Sequence, residues 1–380
     1  MKFRKVQTNS KNSSLSEMKI LQISHGYNAP FLGVSKQYES MLNKTNEVVT
    51  LYLTGNESGE VKQTTKASKV IFWGCDSKQL KGMKLGLIVK LYKLIKHEKF
   101  DLVICHRYKA IYLATMVCLL GLKFKRVGVI HAFGAFKSLG RRLLLSLVAK
   151  RLIILGVSNA VRDDIRDSMP LLPRNKVQTL YNAIDVAAVA SKQLDKEKAR
   201  AFLGLNDQAF IIGNVGRLHP DKDQATLIRA FSEFHKQYAN SQLVILGTGR
   251  LEQQLKDLAR ELGVEQQALF LGQVPDAVNY YKAFDLFALS SDKEPFGLVL
   301  LEAMVAKVPV VASDCGGASE VVSDAGYLFE FADSAALTKL FIRVIARVDG
   351  SIVVEKGFSR VHKNFSIEAV AKSFNRLISV

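Results

Sequence analysis

Strand-like and helix-like segments alternate along almost all of this 380-residue chain. In the first half, short apolar runs bounded by polar residues predict strands at 19–24, 47–53, 101–105, 126–133, 151–158 and 177–182. Helical periodicity falls between them, near 34–43, 84–97, 108–120, 138–150 and 159–168. Continuously apolar strands separated by helices are typical of parallel sheets covered on both faces. We therefore expect an α/β protein.

The same alternation begins again after a polar, helix-prone stretch at 184–208. Further strands are predicted at 209–216, 242–247, 268–272, 286–291 and 309–314, with helices near 223–238, 250–262, 275–284, 296–306 and 334–347. The chain is also long for one hydrophobic core. We expect two doubly wound Rossmann-like domains that face a central cleft. Their predicted bounds are 18–190 and 191–364, with a disordered extension at 1–17 and a closing helix at 365–380.

Charge is distributed unevenly between the two halves. Residues 1–190 hold 31 Lys and Arg against 12 Asp and Glu, a balance of +19, whereas the remainder is close to neutral at −1. Such an asymmetry favours an anionic partner for the first half, whether nucleic acid, a membrane surface or an acidic substrate.

Cysteine usage and hydropathy favour a cytoplasmic protein. The four cysteines show neither a metal-ligand spacing nor a disulfide framework. The N-terminal segment is basic but has no apolar core, so it does not resemble a signal peptide. The most apolar run, 143–157, is interrupted by Lys150 and Arg151 and is too short to span a bilayer. Met18, directly before the first strand, is a candidate alternative start.

The segment SSDKEPFGLVLLEAM (290–304) predicts an anion site. Pro295 suits a first helical position, so the backbone N–H groups of residues 296–298 would lie unpaired at the positive end of the helix dipole. Gly297 would allow close approach to the backbone, and Glu302 could accept hydrogen bonds from vicinal hydroxyls. Taken alone, Glu294 is better explained as a helix cap and Glu302 as a solvated residue, but their combination with a Pro-Phe-Gly turn in a parallel domain favours a ligand.

Two further segments follow predicted strands. In GNVGRLHPDK (213–222), Arg217 and Lys222 could both reach a diphosphate, although solvated surface cations would look the same. In HAFG (131–134), His131 ends a strand, as His25 and His106 also do, so position alone does not single it out. Gly33 precedes a predicted helix, which is weak evidence for a phosphate loop.

Together these segments resemble the family 4 glycosyltransferases of the GT-B fold. The resemblance extends from about 19 to 378 and is strongest over 209–330. Its most specific mark is the E-x7-E element, Glu294 to Glu302, followed by PVVAS and GG..E up to Glu320. VGRL…K, YNAID (181–185), HAFG and the final FSIEAVAKSFNRL also fit.

The resemblance implies a retaining hexosyltransferase that uses a UDP- or GDP-linked sugar as co-substrate and needs neither cofactor nor metal. Arg217 and Lys222 would hold the donor diphosphate, and Glu302 the nucleotide ribose. Gly33 would let the first-domain loop approach the diphosphate, and His131 would lie near the reactive centre of the sugar.

The transferred sugar would meet Glu294, with the backbone of Phe296, Gly297 and Leu298 beside it. Arg217, Lys222, His131 and Glu294 are thus the implied catalytic residues. This chain departs from the family in two places. Leu32 replaces the first of two paired glycines, and Lys307 stands where glycine usually precedes PVVAS, which suggests an altered turn there.

The basic helices at 78–99 and 137–152 carry apolar stripes with lysines between them. They could lie on an anionic membrane, or their apolar faces could belong to the core. Related enzymes suggest a glycolipid or polysaccharide precursor as acceptor, such as lipopolysaccharide core or O-antigen. Peripheral attachment to the inner face of the cytoplasmic membrane is then an open alternative.

Three other functions fit parts of the sequence. The charge would suit a nucleic-acid-binding protein or a membrane-binding protein without transferase activity, but no nucleic-acid-binding module is recognisable, so nucleic acid is not an expected partner. A sugar-nucleotide epimerase or a phosphorylase could share the fold. A catalytically silent binding subunit is the third, against which the four intact site residues argue.

Overall fold

The structure, a computed structural model, describes residues 18–28, 31–42, 46–147, 152–346 and 350–378. The predicted extension at 1–17 lies outside these residues. Two sheets form the described part of the chain, one of seven strands and one of six. All paired strands in both sheets run parallel. The predicted pair of doubly wound α/β layers is confirmed.

The first sheet has the strand order β3-β2-β1-β4-β5-β6-β7. Its strands are β1 Lys19–Ser24, β2 Glu47–Tyr52, β3 Lys69–Phe72, β4 Leu102–His106, β5 Lys125–Ile130, β6 Leu152–Gly156 and β7 Val177–Thr179. Its helices are α1 Phe31–Leu42, α2 Gly59–Thr64, α3 Leu85–Glu98, α4 Arg107–Leu119, α5 Leu139–Leu147 and α6 Asn159–Ser168. The central strands are buried on both faces, as their continuous apolar sequence requires.

The second sheet has the order β10-β9-β8-β11-β12-β13. Its strands are β8 Phe210–Val215, β9 Ser241–Leu246, β10 Ala268–Gly272, β11 Leu286–Leu289, β12 Val310–Ser313 and β13 Tyr327–Phe329. Its helices are α9 Gln224–Gln237, α10 Glu252–Glu261, α11 Leu298–Val305, α12 Gly316–Val322 and α13 Ser334–Ile345. The segment predicted as a helix near 275–284 is a 3-10 helix at Ala277–Ala283.

Between the sheets lie α7 Val186–Lys192 and α8 Lys196–Leu203. Arg200 of α8 is buried and donates to Asp285 at 2.6 Å, so α8 is anchored to the second sheet. The chain ends with α14 Gly350–Arg360, a π-helical turn at Val361–Phe365 and α15 Ile367–Ile378. Phe374 of α15 packs edge-on against Tyr38 of α1, in the first sheet's layer, at 6.2 Å. The domain bounds of 18–190 and 191–364 stay a prediction.

Several elements, most of them short, were not predicted. They are β3, α2, α12, β13 and α14. Both missed strands have only three or four residues and include partly buried positions, so their sequences lack the long apolar run that marks the central strands. The alternating elements around each sheet centre were predicted to within a few residues.

Candidate active site

In both sheets the strand order reverses beside the first strand. β1 lies between β2 and β4, and β8 lies between β9 and β11. Doubly wound sheets bind ligands outside the carboxyl ends of strands at such a point. The loops after β8 and β11 hold Arg217, Lys222 and Glu294, and the loop after β5 holds His131.

Two hydrogen bonds join the loop after β8 to the loop after β11. Ser290 Oγ donates to the Lys222 carbonyl at 3.0 Å, and the Asp292 amide donates to the Asp221 carbonyl at 3.0 Å. Gln224 Nε2 donates to the Arg217 carbonyl at 3.0 Å. These bonds place the predicted cations and the predicted E-x7-E segment at one edge of the sheet.

Lys222 and Glu294 form an ion pair. Lys222 Nζ lies 2.6 Å from Glu294 Oε2, and the two side chains are only 17% and 10% exposed. Ser291 Oγ also donates to that oxygen at 3.2 Å. Both charges are thus neutralised in the free protein, as partly buried charges require. Arg217 is different, because its side chain is 74% exposed and its guanidinium lies 3.9 Å from Asp221.

The predicted start of the helix after Glu294 was wrong by three residues. Gly297 has φ +96°, a left-handed conformation that ends the extended loop, and α11 begins only at Leu298. Pro295 and Phe296 therefore precede the helix. Phe296 is buried, and its ring packs against Tyr181 and Phe365 at 6.0 and 5.6 Å. Of the three residues predicted to present backbone N–H groups in the first helical turn, 296–298, only Leu298 lies in α11.

Glu302 lies in the second turn of α11 and is half-buried. Its Oε2 accepts a hydrogen bond from the hydroxyl of the fully buried Tyr281 at 2.7 Å. Burial raises the pKa of Glu302 to about 7, and the hydrogen bond from Tyr281 opposes that rise. No contact joins Glu302 to Lys222 or Glu294 among the side-chain interactions of the described residues.

His131 directly follows β5 and is partly buried. Its Nε2 lies 3.1 Å from Nδ1 of the buried His106, which ends β4. Burial, followed by the charge of Arg107, lowers the pKa of His131 to about 3. The pKa of His106 lies well below its usual value for the same first reason, burial. Both rings are therefore neutral at physiological pH.

Gly33 does not precede a helix, as was predicted, but is the third residue of α1. The periodicity of 34–43 placed the helix start too late. Gly33 is exposed, and a methyl group added there would meet open space. The turn at Lys307 was expected to be altered, but this residue keeps a backbone conformation typical of glycine. It adopts the left-handed conformation at φ +58°, the region glycine favours, and its Nζ lies 2.9 Å from Glu355.

The two layers meet where the loop after β5 approaches the start of α12. A methyl group built on Gly316 would clash with the Glu294 carbonyl oxygen and lie 3.2 Å from Phe133 Cζ. Phe133 is two residues beyond His131, so the first-domain HAFG segment reaches the Glu294 loop. Gly317 N also donates to the Glu294 carbonyl at 2.7 Å.

A second contact between the layers involves Glu320 of α12. Its carboxylate accepts hydrogen bonds from the backbone amides of Asn159 and Ala160, both at 2.8 Å, at the start of α6. The Tyr181 hydroxyl donates to the same carboxylate at 3.0 Å. Glu320 thus caps a helix of the other layer. Glu320 ends the GG..E motif in the sequence, which by itself does not indicate this role.

Two doubly wound parallel sheets with facing loops define the GT-B class of folds. The model of "Glycosyl transferases group 1" matches residues 195–348, and the model of "Glycosyltransferase Family 4" matches residues 42–188. The chain belongs to the group 1, family 4 glycosyltransferases, and it is an enzyme of that class.

The chain is similar to several glycosyltransferases in particular. It is 32% identical over 255 residues to N-acetylgalactosamine-N,N'-diacetylbacillosaminyl-diphospho-undecaprenol 4-alpha-N-acetylgalactosaminyltransferase of Campylobacter jejuni, covering 64% of this chain and 67% of that protein. Alignments with three curated relatives cover from 44% to 78% of the relatives' own lengths.

Two solved structures show the fold. Anabaena HepE in complex with UDP superposes with a TM-score of 0.77 at 20% identity, over 96% of this chain and 99% of that one. The lipopolysaccharide outer core galactosyltransferase WaaB superposes with a TM-score of 0.71 at 18% identity, over 95% and 99%.

Proposed function

We propose that this glycosyltransferase moves a hexose, with retention of configuration and without a metal ion, from a UDP- or GDP-linked sugar to a hydroxyl of a glycolipid or polysaccharide precursor. The observation that carries the donor half is the placement of Arg217 and Lys222 at one edge of the second sheet, beside the start of α11. Support for the acceptor half comes from the undecaprenol-linked substrate in the name of the Campylobacter relative and from the lipopolysaccharide role in the name of WaaB.

Stabilisation of the developing charges at this edge would accelerate the reaction. As the anomeric C–O bond breaks, negative charge develops on the departing diphosphate and positive charge on the sugar. Preorganised cations and helix N–H groups aimed at the developing charge are commonly the largest catalytic contribution. The Arg217 side chain is largely exposed to an incoming ligand, whereas Lys222 would exchange Glu294 for the diphosphate when donor binds. Glu294 is then released to accept hydrogen bonds from the sugar.

The remaining predicted residues would hold the rest of the donor. Glu302 would accept hydrogen bonds from the ribose hydroxyls, and the backbone beside Gly297 and Leu298 would face the sugar and diphosphate. His131 reaches the same region from the other layer, because Phe133 of its loop touches Gly316. We propose that the layers close around the donor, with hinges near 185–200 and in the C-terminal helix.

Thermal shift with UDP, GDP and ADP, alone and as sugars, tests the donor half. A ligand at 100 times its dissociation constant adds about 2.7 kcal/mol of stability. We expect a shift with one nucleotide that Arg217→Ala removes. The matched control is Lys339→Ala, an exposed cation on α13. Product analysis with and without acceptor separates transfer from epimerisation. No shift with any nucleotide, or unchanged turnover in Arg217→Ala, would contradict the proposal.

For the acceptor half we propose a membrane-facing surface on the first layer, called here the basic-apolar face. It consists of Met83, Leu85, Leu139 and Leu143, between 60% and 71% exposed, with the cations beside them. Lys84 Nζ lies over the Tyr112 ring at 4.7 Å, and Arg141 lies over the Tyr108 ring at 4.5 Å.

Two tyrosine rings of α4 connect the start of α3 with α5, the two helices that carry this face. The Tyr108 and Tyr112 rings are 6.4 Å apart. Burial lowers the pKa of Lys84, and the nearby charges of Lys109 and Arg141 lower it further. Of the predicted apolar stripe on α3, Ile88, Leu91 and Ile95 are buried in the core. Of that stripe, Leu85 at the start of α3 is the most exposed residue, at 63%. Exposed leucines ringed by cations suit an anionic lipid surface, with about 1 kcal/mol per cation.

Liposome flotation with and without anionic lipid tests this face. The double variant Leu139→Ser, Leu143→Ser is expected to lose flotation, while Leu171→Ser, an 80% exposed leucine outside the face, keeps it. Equal flotation of all variants would exclude the face. The described residues contain no helix long and apolar enough to cross a bilayer.

A further inference from the structure

A buried chain of hydrogen bonds leads from Glu39 towards His131. Glu39 is fully buried and accepts a hydrogen bond from the Thr50 hydroxyl at 2.7 Å. Thr50 Oγ1 in turn accepts from Gln22 Nε2 at 3.1 Å, and the Ser35 carbonyl accepts from the same amide nitrogen at 3.3 Å. A carbonyl oxygen can only accept, so the Gln22 side chain has one orientation, with its oxygen pointing away.

The orientation of Gln22 determines the tautomers of the two histidines. Gln22 Oε1 lies 3.0 Å from His106 Nε2, so that nitrogen must carry the proton and donate. A neutral imidazole has one donor and one acceptor, hence His106 Nδ1 accepts. His131 Nε2, at 3.1 Å, must then be the donor of the next bond. His131 Nδ1 is left as an unprotonated acceptor. We call Glu39, Thr50, Gln22 and His106 the buried relay.

The remaining nitrogen of His131 is buried and without a hydrogen-bond partner among the described residues. A buried acceptor without a donor is destabilising, which favours a ligand that can donate to it. His131 lies two residues before Phe133, whose ring lies beside Gly316 at the start of α12, next to the Glu294 carbonyl. We place the donor sugar beside His131 on this basis, and a sugar hydroxyl would reach the buried Nδ1 as the layers close around the donor.

We propose that the buried relay holds His131 in the Nε2–H tautomer, so that Nδ1 accepts a hydrogen bond from a hydroxyl of the transferred sugar and never delivers a proton. The members of the relay are positioning residues, and His131 is the one that touches substrate. The sugar contact rests on the proposed function, whereas the tautomer is a property of the free protein. Neutralising the leaving group then falls to Arg217 and Lys222.

The tautomer can be measured without any substrate. In long-range nitrogen–proton NMR spectra of protein with labelled histidine, His131 should show a protonated Nε2 and an unprotonated Nδ1 near pH 7. Seven histidines are present, and His131→Asn assigns the signal. Gln22→Met, which removes the orienting oxygen, should produce a mixture of tautomers at His106 and His131. A protonated Nδ1 on His131 in the unmodified protein would overturn the proposal, whether or not the variant folds.

Donor analogues test the direction of the sugar contact. The hydroxyl that faces His131 is replaced once by hydrogen and once by fluorine, which accepts but cannot donate. Both analogues should lose at least about tenfold in kcat/KM, and equally, because the sugar must donate. An active fluorinated analogue would show that His131 donates and refute the idea.

Two histidine variants give an independent readout. The amide oxygen introduced by His131→Asn is an acceptor at the place where Nδ1 lies, whereas the longer side chain introduced by His131→Gln extends to the Nε2 position. His131→Asn should therefore retain more kcat/KM than His131→Gln, with the donor KM nearly unchanged in the first. The reverse order would contradict an acceptor role. Absence of turnover with every donor would refute the proposed function, while the NMR result would still decide the tautomer.

Discussion

Ionised Glu302 is expected to reduce the stability of the free protein. Its pKa of about 7 lies above the unfolded value of 4.5. Between these pH values the unfolded chain has released the proton and the folded chain still binds it. Stability therefore falls as the pH rises from 4.5 to 7, and the full cost is present above pH 7.

Glu302→Gln should consequently stabilise the protein while it weakens nucleotide binding. At pH 8.5 we expect the free energy of unfolding to rise by about 2 kcal/mol, and at pH 4.5 to change little. The Tyr281 hydroxyl can still donate to the amide oxygen. Urea denaturation at both pH values measures the effect, with the exposed Glu233→Gln on α9 as control. A stabilisation that is equal at both pH values would show that the charge is not its cause.

At the scale of elements, Glu320 is the cap that α6 receives from the other layer. Glu320→Ala should cost about 1–2 kcal/mol, because two backbone amides lose their acceptor. Hydrogen exchange at the start of α6 should accelerate. Ser158→Ala is the matched control, since Ser158 Oγ caps Val161 of the same helix at 3.0 Å without leaving its layer. Only Glu320→Ala should change the donor affinity. Equal affinity in both variants would mean that the cap has no part in closure.

The long elements could be predicted because each follows from local pattern. β1, β4 and β8 are mainly apolar segments of five or six residues, and α9 has a clear helical period. The start of α11 could not be placed from the sequence. Pro295 suits a helix start, but Gly297 takes a left-handed conformation that only the folded loop reveals, where it packs close to Leu300.

The buried relay could not be predicted from the sequence, for a different reason. Gln22 and His106 are 84 residues apart and meet only because β1 and β4 are neighbours in the sheet. A polar Gln22 inside the apolar strand KILQIS was the one local sign of it. Glu294 and Lys222 were predicted for one site, and the structure brings them into contact. Their roles stay predictions.

At the scale of the whole molecule, α15 connects the end of the chain to the first layer. Val370, Phe374 and Ile378 of α15 belong to a hydrophobic cluster that includes residues of both sheets. Lys125 Nζ, at the start of β5, donates to the Ile378 carbonyl at 3.0 Å. Because the residues proposed to bind the nucleotide lie in the second layer, loosening α15 should affect the two layers unequally.

Phe374→Ala is the variant that distinguishes the responses of the two layers. The ring is fully buried, so its loss should cost about 3–5 kcal/mol. Hydrogen exchange should accelerate in α1 and the first sheet, while the nucleotide-induced thermal shift of the second layer persists. Phe341→Ala, an equally buried ring in α13 against Phe234, should loosen α9 and α13 instead. If Phe374→Ala abolished nucleotide binding as well, the donor site would depend on the docking of α15, and closure about that helix would be a condition for binding rather than its result.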